Sequence, residues 1–311
     1  MFLGHETLAF ALVALVATLC GVSRERALAL GVAAGLFAFV PDADMVYALA
    51  GFLRVDSASA FAAANAFWSA STAVHRSITH SLVLAGPAAA GFALVAATSR
   101  FHRALGALLL AGLVGVAFVA SGPLGVLVTV AFALAGLGVV ALATRRLDLG
   151  SRAVGATALV GLVSHPFGDL LTGHPPAFFY PFEVTLLAGR PAPFGDPTLN
   201  LLAAFAFELA AIWAGLVVFL ALTDRRFRGH LAPRAAAGGA YALAALVIQP
   251  PTLETSYQFV FSVLAVGSVG LHPRSLLDRS LPDPVAVAVT GLTAITVAGA
   301  GYTVAYLLAL T

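Results

Sequence analysis

Apolar residues run along this chain in long stretches that are separated by short polar loops. Ten stretches are long enough, or nearly long enough, to cross a bilayer, since about 20 apolar residues in a helix span the hydrocarbon. The predicted segments are 7–22, 26–40, 82–98, 104–121, 124–143, 153–172, 199–222, 236–249, 255–271 and 285–309. The pattern predicts an all-α integral membrane protein, a polytopic helical bundle with about ten transmembrane helices.

The composition supports this class. Hydrophobic residues make up 60% of the 311 residues, charged residues 10%, and the mean hydropathy is +0.99, whereas roughly one quarter of a soluble domain is charged. These values exclude a disordered chain and a disulfide-bonded secreted module. The single cysteine, Cys20, cannot pair within the chain. No basic residue precedes the first apolar segment, so a cleaved secretory signal is not expected.

The distribution of positive charge predicts an orientation. All 16 basic residues are arginines, and thirteen of them lie in loops that follow odd-numbered segments. Basic loops usually stay on the cytoplasmic side. We therefore expect these loops in the cytoplasm, both termini outside, and the chain as a multi-pass protein of the cell (inner or plasma) membrane.

Two of the predicted external loops, 41–81 and 173–198, are long, and long connections are usually functional or disordered. Residues 57–74 predict a short helix at the interface, and the six prolines and four aromatic residues of the second loop predict a rigid segment at headgroup level. We expect a membrane domain over 1–198 that carries both loops, and additional transmembrane helices of unknown role over 199–311.

Ionisable residues at a membrane edge are costly and therefore mark functional sites. Four groups of them fall at predicted external helix ends, and a mixed His and Asp set without Cys is typical of hydrolytic metal sites. The candidate ligands are His5, Asp42, Asp44, His75, His80, His165 and Asp169. Seven ligands exceed the need of one tetrahedral ion, so the sequence also allows two ions bridged by an Asp. We therefore predict a metal site within 1–198 that faces outward.

The spacing of these candidates constrains their geometry. His165 and Asp169 are four residues apart and share a helix face, with Thr172 on the same stripe. Pro166 predicts a kink there, because a residue before proline is biased away from helical dihedrals. His75 and His80 are about 140° apart around a helix. Both reach one site only if the segment bends or a helix begins between them.

Three further residues have assigned roles. Arg76, one of the few predicted external arginines, either binds an anionic group such as a phosphate or forms an ion pair with Asp42 or Asp44. Thr79 and Thr172 are expected to orient ligands. Among the other histidines only His174 is on the external side, where it is a reserve candidate. The histidines assigned to the arginine-rich side, away from the site, are His102, His230 and His272.

These motifs resemble the YdjM-type inner-membrane proteins, a family of membrane-bound metal-dependent hydrolases. The matching residues are His5, Pro41-Asp42-Ala43-Asp44, His75-Arg76-Ser77-Ile78-Thr79-His80-Ser81, the stretch from His165 to Asp169 with Thr172, and Tyr180-Pro181-Phe182. The resemblance covers roughly residues 1–185, and Ser77 and Pro166 depart from the residues that are frequent in the family. It implies a multi-pass hydrolase, and it does not carry a substrate over. The His and Asp side chains themselves suit a divalent metal, Zn or Mn.

The leading hypothesis is a metal-dependent hydrolase at the external membrane–water boundary, which cleaves a lipid-linked phosphoester or ester with one or two ions. Its partners are the lipid bilayer and the lipid-linked substrate, and the sequence has no nucleic-acid-binding pattern. One alternative is a metal- or ion-coupled transporter, for which Glu208 is the buried acid. Repeated halves and a midplane site are typical of transporters, and the sequence shows neither. The other alternative is a structural metal site without turnover.

Overall fold

The computed structural model describes residues 3–54, 62–63, 66–67, 70, 76–171, 174–253, 256–271 and 282–310. All regular structure in these residues is helical, as the hydrophobic pattern predicts. The helices long and apolar enough to cross a membrane are Arg24–Leu49, Arg100–Arg145, Ser151–Leu171, Pro197–Leu222 and Pro284–Ala309. Each of the ten predicted segments overlaps helical chain, but the ten spans and the external termini stay predictions.

The described helices are as follows in chain order. The α-helices are α1 (Gly4–Leu19), α2 (Arg24–Phe39), α3 (Leu82–Val95), α4 (Arg100–Arg145), α5 (Ser151–Gly168), α6 (Pro197–Leu222), α7 (Phe227–His230), α8 (Ser256–Val266) and α9 (Pro284–Leu310). The 3-10 helices are Val40–Arg54, Ile78–His80, Asp169–Leu171, Pro233–Leu246 and Gly267–Gly270. Of the predicted interface helix 57–74, residues 62–63, 66–67 and 70 are described, and they are helical.

Contacts divide the chain into two compact units. The first unit comprises His5–Leu170 and His174–Arg190, and the second comprises Met1–Gly4, Leu171–Gly173 and Pro191–Thr311. The predicted domain boundary between residues 198 and 199 stays a prediction.

The chain of α4 reverses direction at Gly122. This residue has φ +66° and ψ −156°, a conformation that glycine adopts without a Cβ clash, and Pro123 follows it. A Cβ on Gly125 would lie 2.8 Å from the carbonyl oxygen of Ala117, whereas a continuous helix would separate these positions by about 12 Å. The break expected between segments 104–121 and 124–143 is therefore the tip of a helical hairpin.

Glycines allow the backbones of α1, α2 and α5 to approach closely. A Cβ on Gly161 of α5 would lie 2.6 Å from the carbonyl oxygen of Ala34 in α2, and a Cβ on Gly35 of α2 would lie 2.9 Å from the carbonyl oxygen of Glu6 in α1. Small residues are the usual means of close helix packing in membranes. Because no side chain separates α5 from α2, His165, one turn after Gly161, reaches the end of α2.

The antiparallel course of these helices places the candidate ligands at one end of the first unit. That end holds the start of α1, the chain that follows α2, the start of α3 and the end of α5. The tip of α4 lies there too, where the hydroxyls of Ser121 and Tyr180 are 2.8 Å apart. The arginine-rich turns lie at the opposite end, where Arg26 donates a hydrogen bond to the carbonyl oxygen of Asp148.

Described residues 174–196 contain no helix or strand, and backbone contacts attach the start of this loop to the segment before α3. The amide of Ala177 donates to the carbonyl oxygen of Arg76 at 2.8 Å, and the amide of Leu82 donates to the carbonyl oxygen of Phe178 at 2.9 Å. The Ser81 hydroxyl donates to the carbonyl oxygen of Tyr180 at 2.7 Å. The loop is thereby held beside His80.

In the second unit, Asp196 caps the start of α6. Its carboxylate accepts a hydrogen bond from the amide of Leu199 at 2.9 Å, and this bond lowers the pKa of Asp196 below its ordinary value. The Tyr306 hydroxyl of α9 donates to the same carboxylate at 3.0 Å. An aromatic cluster of Tyr241, Phe259 and Tyr302 packs in the core of this unit.

We predict that Gly161→Ala destabilises the protein by about 1–3 kcal/mol, because the added methyl group overpacks the contact between α5 and α2. Gly112→Ala is the matched control, since a Cβ there meets nothing within 4 Å and alanine favours a helix. Thermal unfolding in detergent measures both variants. Equal midpoints for the two would contradict the close packing.

Candidate metal centre

Four buried or partly buried side chains converge at the end of the first unit. One ligand atom from each lies within 4.8 Å of the other three, and the residues are Asp42, His80, His165 and Asp169. The 3-10 helix after α2, the 3-10 turn before α3, and the end of α5 with the turn that follows supply them. His80 and His165 are fully buried, while the side chain of Asp42 is 21% exposed.

His165 directs one ring nitrogen into this group. Its Nδ1–H donates to the carbonyl oxygen of Ala38 at 2.6 Å, so the lone pair of the neutral ring is on Nε2. Nε2 lies 3.6 Å from Oδ1 of Asp42 and 3.8 Å from Oδ2 of Asp169. His165 and Asp169 thus face the same site, as their four-residue spacing predicts. Pro166 lies in the last turn of α5, after which the chain winds more tightly from Asp169 to Leu171.

Thr79 and Asp44 hold His80 in the same tautomer, with the proton on Nδ1 and the lone pair on Nε2. The Thr79 hydroxyl donates its single proton to Oδ2 of Asp44 at 2.8 Å and therefore accepts a hydrogen bond from Nδ1–H of His80 at 2.9 Å. Asp44 consequently lies behind His80, with Oδ2 3.6 Å from Nδ1. This carboxylate–histidine arrangement is typical of metal sites, where the second partner orients the ligating ring.

The Nε2 lone pairs of His80 and His165 point toward each other. Nε2 of His80 is 2.9 Å from Nε2 of His165 and 3.1 Å from Oδ2 of Asp169. An ion with bonds of 2.0–2.1 Å and tetrahedral geometry separates its ligand atoms by about 3.3 Å, which lies within the observed distances. A divalent cation satisfies nitrogens and carboxylate oxygens that have no proton to share. The residues therefore fit a metal with nitrogen and oxygen ligands, and both Zn and Mn accept such a set.

Arg76 supports Asp169. Its Nε lies 3.3 Å from Oδ2 of Asp169, and its Nη1 donates to the carbonyl oxygens of Asp169 and His174 at 3.1 and 2.9 Å. The backbone amide of Arg76 also donates to Asp44 at 3.4 Å. Arg76 thus forms an ion pair with Asp169, an aspartate that the sequence did not suggest as its partner, and His174 contributes a backbone carbonyl oxygen.

A second group of potential ligands adjoins the first and shares Asp42 with it. The group contains His5, Glu6 and Asp42, and Nε2 of His5 lies 3.2 Å from Asp42 and 3.4 Å from Glu6. The ring of His5 packs edge-on against that of His165, with centroids 4.2 Å apart. Glu6 is absent from the ligands proposed from sequence. The signal for it was its place beside His5 at the same helix end.

The structure describes only some of the remaining candidates and histidines. His75, Thr172 and His272 lie outside the described residues. His102 is exposed on α4, and His230 lies 3.6 Å from Asp283 in the second unit. These two histidines are not among the grouped ligands.

Glu208 has a structural role in the second unit. This residue of α6 is 7% exposed and accepts hydrogen bonds from the amides of Leu3 and Gly4 at 2.7 and 2.8 Å. Amides at the first turn of a helix have no partner within the helix. Glu208 therefore supplies the partner of two such amides within its own unit.

The family model described as YdjM inner membrane protein matches residues 1–251 of the chain. The match covers most of the sequence, so the chain belongs to this family of inner membrane proteins. It extends past the 1–185 that the motifs cover, and it includes α6, α7 and the 3-10 helix Pro233–Leu246. No curated protein and no solved structure matches the chain.

We predict that His165→Ala lowers the metal content of the purified protein, because the variant removes one of the four grouped ligands. Elemental analysis in detergent without chelator measures the content. His102→Ala, a substitution of an exposed histidine, should retain the wild-type content. Wild-type protein that remains folded but binds neither Zn nor Mn would contradict a metal centre.

Proposed function

We propose that the protein is a metal-dependent hydrolase whose site acts at the external membrane–water boundary on a lipid-linked phosphoester or ester. The observation that carries this proposal is the convergence of the Nε2 lone pairs of His80 and His165 with Asp169 and Asp42. Of these four, Asp42 is the most exposed. A ligand set with one accessible side is typical of catalytic rather than structural metal sites.

Each side chain of the site has its own proposed role. Asp42, His80, His165 and Asp169 hold a divalent ion, Zn or Mn. When bound, such an ion lowers the pKa of a coordinated water and stabilises charge on a substrate oxygen. Thr79 and Asp44 keep Nε2 of His80 directed into the site, and the Ala38 carbonyl does so for His165. His75 and Thr172 stay the sequence-based candidates for a further ligand and an orienting hydroxyl.

Arg76 supports an anionic substrate. Its guanidinium lies beside Asp169 and adds positive charge next to the proposed ion. Arginine presents several donors in one plane, a geometry that matches phosphate oxygens. The residue thus has two proposed tasks, to position Asp169 and to attract the phosphate of a lipid-linked substrate.

The candidate ligands and the arginine-rich turns lie at opposite ends of the first unit, which supports an outward-facing site. The candidate ligands lie at the end away from the arginine-rich turns at Arg26 and at 145–152. Since arginine-rich loops are retained in the cytoplasm, the ligands face the external side.

The hydrolase has more support than either alternative. The buried acid on which a transporter would rely, Glu208, accepts two backbone hydrogen bonds, from the amides of Leu3 and Gly4. A structural metal site would be closed on every side by protein, whereas Asp42 is partly exposed.

We predict that metal-loaded protein hydrolyses lipid phosphoesters or carboxylesters presented in mixed micelles, measured as released product. Asp169→Asn should lower the rate about 100-fold or more, because metal catalysis supplies several kcal/mol and each 1.4 kcal/mol is a factor of ten. His102→Ala should leave the rate unchanged. If the wild type is loaded and hydrolyses no lipid of either class, the structural-site alternative replaces the hydrolase.

We predict that a membrane-impermeant thiol reagent labels the two ends of the first unit differently in intact cells. The native Cys20 is exposed near the arginine-rich end and should react only after solubilisation. Gly189→Cys in a Cys20→Ser background should react in intact cells, because Gly189 is exposed in the loop that follows the site. The reverse labelling would place the site in the cytoplasm.

A further inference from the structure

We infer that Asp42 bridges two divalent ions and that His5 and Glu6 hold the second one. The inference rests on the proposed function, since it adds an ion to the same site. The two oxygens of Asp42 face different histidines: Oδ1 lies 3.6 Å from Nε2 of His165, and Oδ2 lies 3.2 Å from Nε2 of His5. A carboxylate placed in this way can give one oxygen to each of two ions.

The surroundings of His5 fit a cation better than a proton. Nε2 of His5 lies 3.2 Å from Asp42 and 3.4 Å from Glu6, yet a ring nitrogen carries at most one proton and cannot donate fully to both carboxylates. His5 is 1% exposed, so its ring is shielded from bulk water. A divalent ion between the three side chains satisfies the nitrogen and both oxygens together.

The charges in the site also favour cations. Among the described residues, carboxylates outnumber the guanidinium of Arg76: they belong to Glu6, Asp42, Asp44 and Asp169. Buried carboxylates are stabilised by nearby positive charge. Two divalent ions neutralise this group and leave a site that attracts an anion.

The spacing agrees with known two-metal chemistry. Paired ions in hydrolytic sites are about 3.5–4 Å apart and bind both the attacking and the leaving oxygen in phosphate chemistry. Asp42, whose two oxygens face His165 and His5, is placed to join ions at such a separation. The arrangement therefore points to a phosphoester, rather than a carboxylester, as the substrate class.

The two ions should differ in how readily they exchange. Ligands of the first ion are almost fully buried apart from Asp42, whereas the side chains of Glu6 and Asp42 are 12% and 21% exposed. A chelator should therefore remove the second ion first.

The test loads the full chain with Mn²⁺ in detergent and measures both the ions bound per chain and the electron paramagnetic resonance spectrum. Wild-type protein should bind two ions and show the spectrum of an exchange-coupled pair. Glu6→Gln should bind one ion and show the spectrum of an isolated Mn²⁺. Asp42→Asn should also lose the coupling, because it weakens the bridge.

Glu25→Gln is the matched control, since Glu25 is exposed on α2 and its substitution should leave both ions coupled. One ion per wild-type chain, or a coupled pair that survives Glu6→Gln in folded protein, would overturn the inference. Turnover by a protein with a single ion would retain the proposed function and reject the second ion. A coupled pair without turnover would retain the second ion and reject the proposed function.

Discussion

Repulsion between lone pairs dominates the site of this protein. Nε2 of His80 and Nε2 of His165 lie 2.9 Å apart, and the opposite ring nitrogens already donate their protons to Thr79 and to the backbone of α2. Such an arrangement persists only if a cation, or a proton on one ring, lies between the two nitrogens. Asp169 adds a negative oxygen at 3.1 Å from His80. The hydrogen bonds that fix the orientation of the two rings therefore also favour a positive charge between their Nε2 atoms.

The close packing of the helices in the first unit places these rings. His165 reaches the carbonyl oxygen of Ala38 because Gly161 lets α5 lie directly on α2. That carbonyl oxygen lies close to the end of α2, where the helix changes to 3-10 winding and its last carbonyl oxygens lack helical partners. Gly35 brings α1 onto α2 in the same way. Small residues within the helices thus determine where the ligands at the helix ends lie.

The sequence predicted some features of the site and missed others for a physical reason. Adjacent helix ends and four-residue spacing are visible in a sequence, so the approach of His165 to Asp169 was predictable. Whether a carboxylate binds an ion or stands behind a histidine depends on side-chain rotation, which the sequence does not encode locally. Asp44 therefore appeared equivalent to Asp42, although the structure directs it to Nδ1 of His80. The partner of Arg76 was missed because Arg76 and Asp169 are far apart in the sequence and meet only in the folded chain.

The sequence by itself determined the helical class, the membrane environment, the family, the break at Gly122 and the collection of His and Asp residues at one end of the helices. Each of these follows from hydrophobic length, charge placement or motif spacing, which are properties of neighbouring residues. Only the tertiary structure decided which atoms face one another: the shared position of Asp42, the inclusion of Glu6 and the hydrogen bonds that Glu208 accepts from the amides of Leu3 and Gly4. These contacts join residues far apart in the chain, and their geometry depends on how closely whole helices pack.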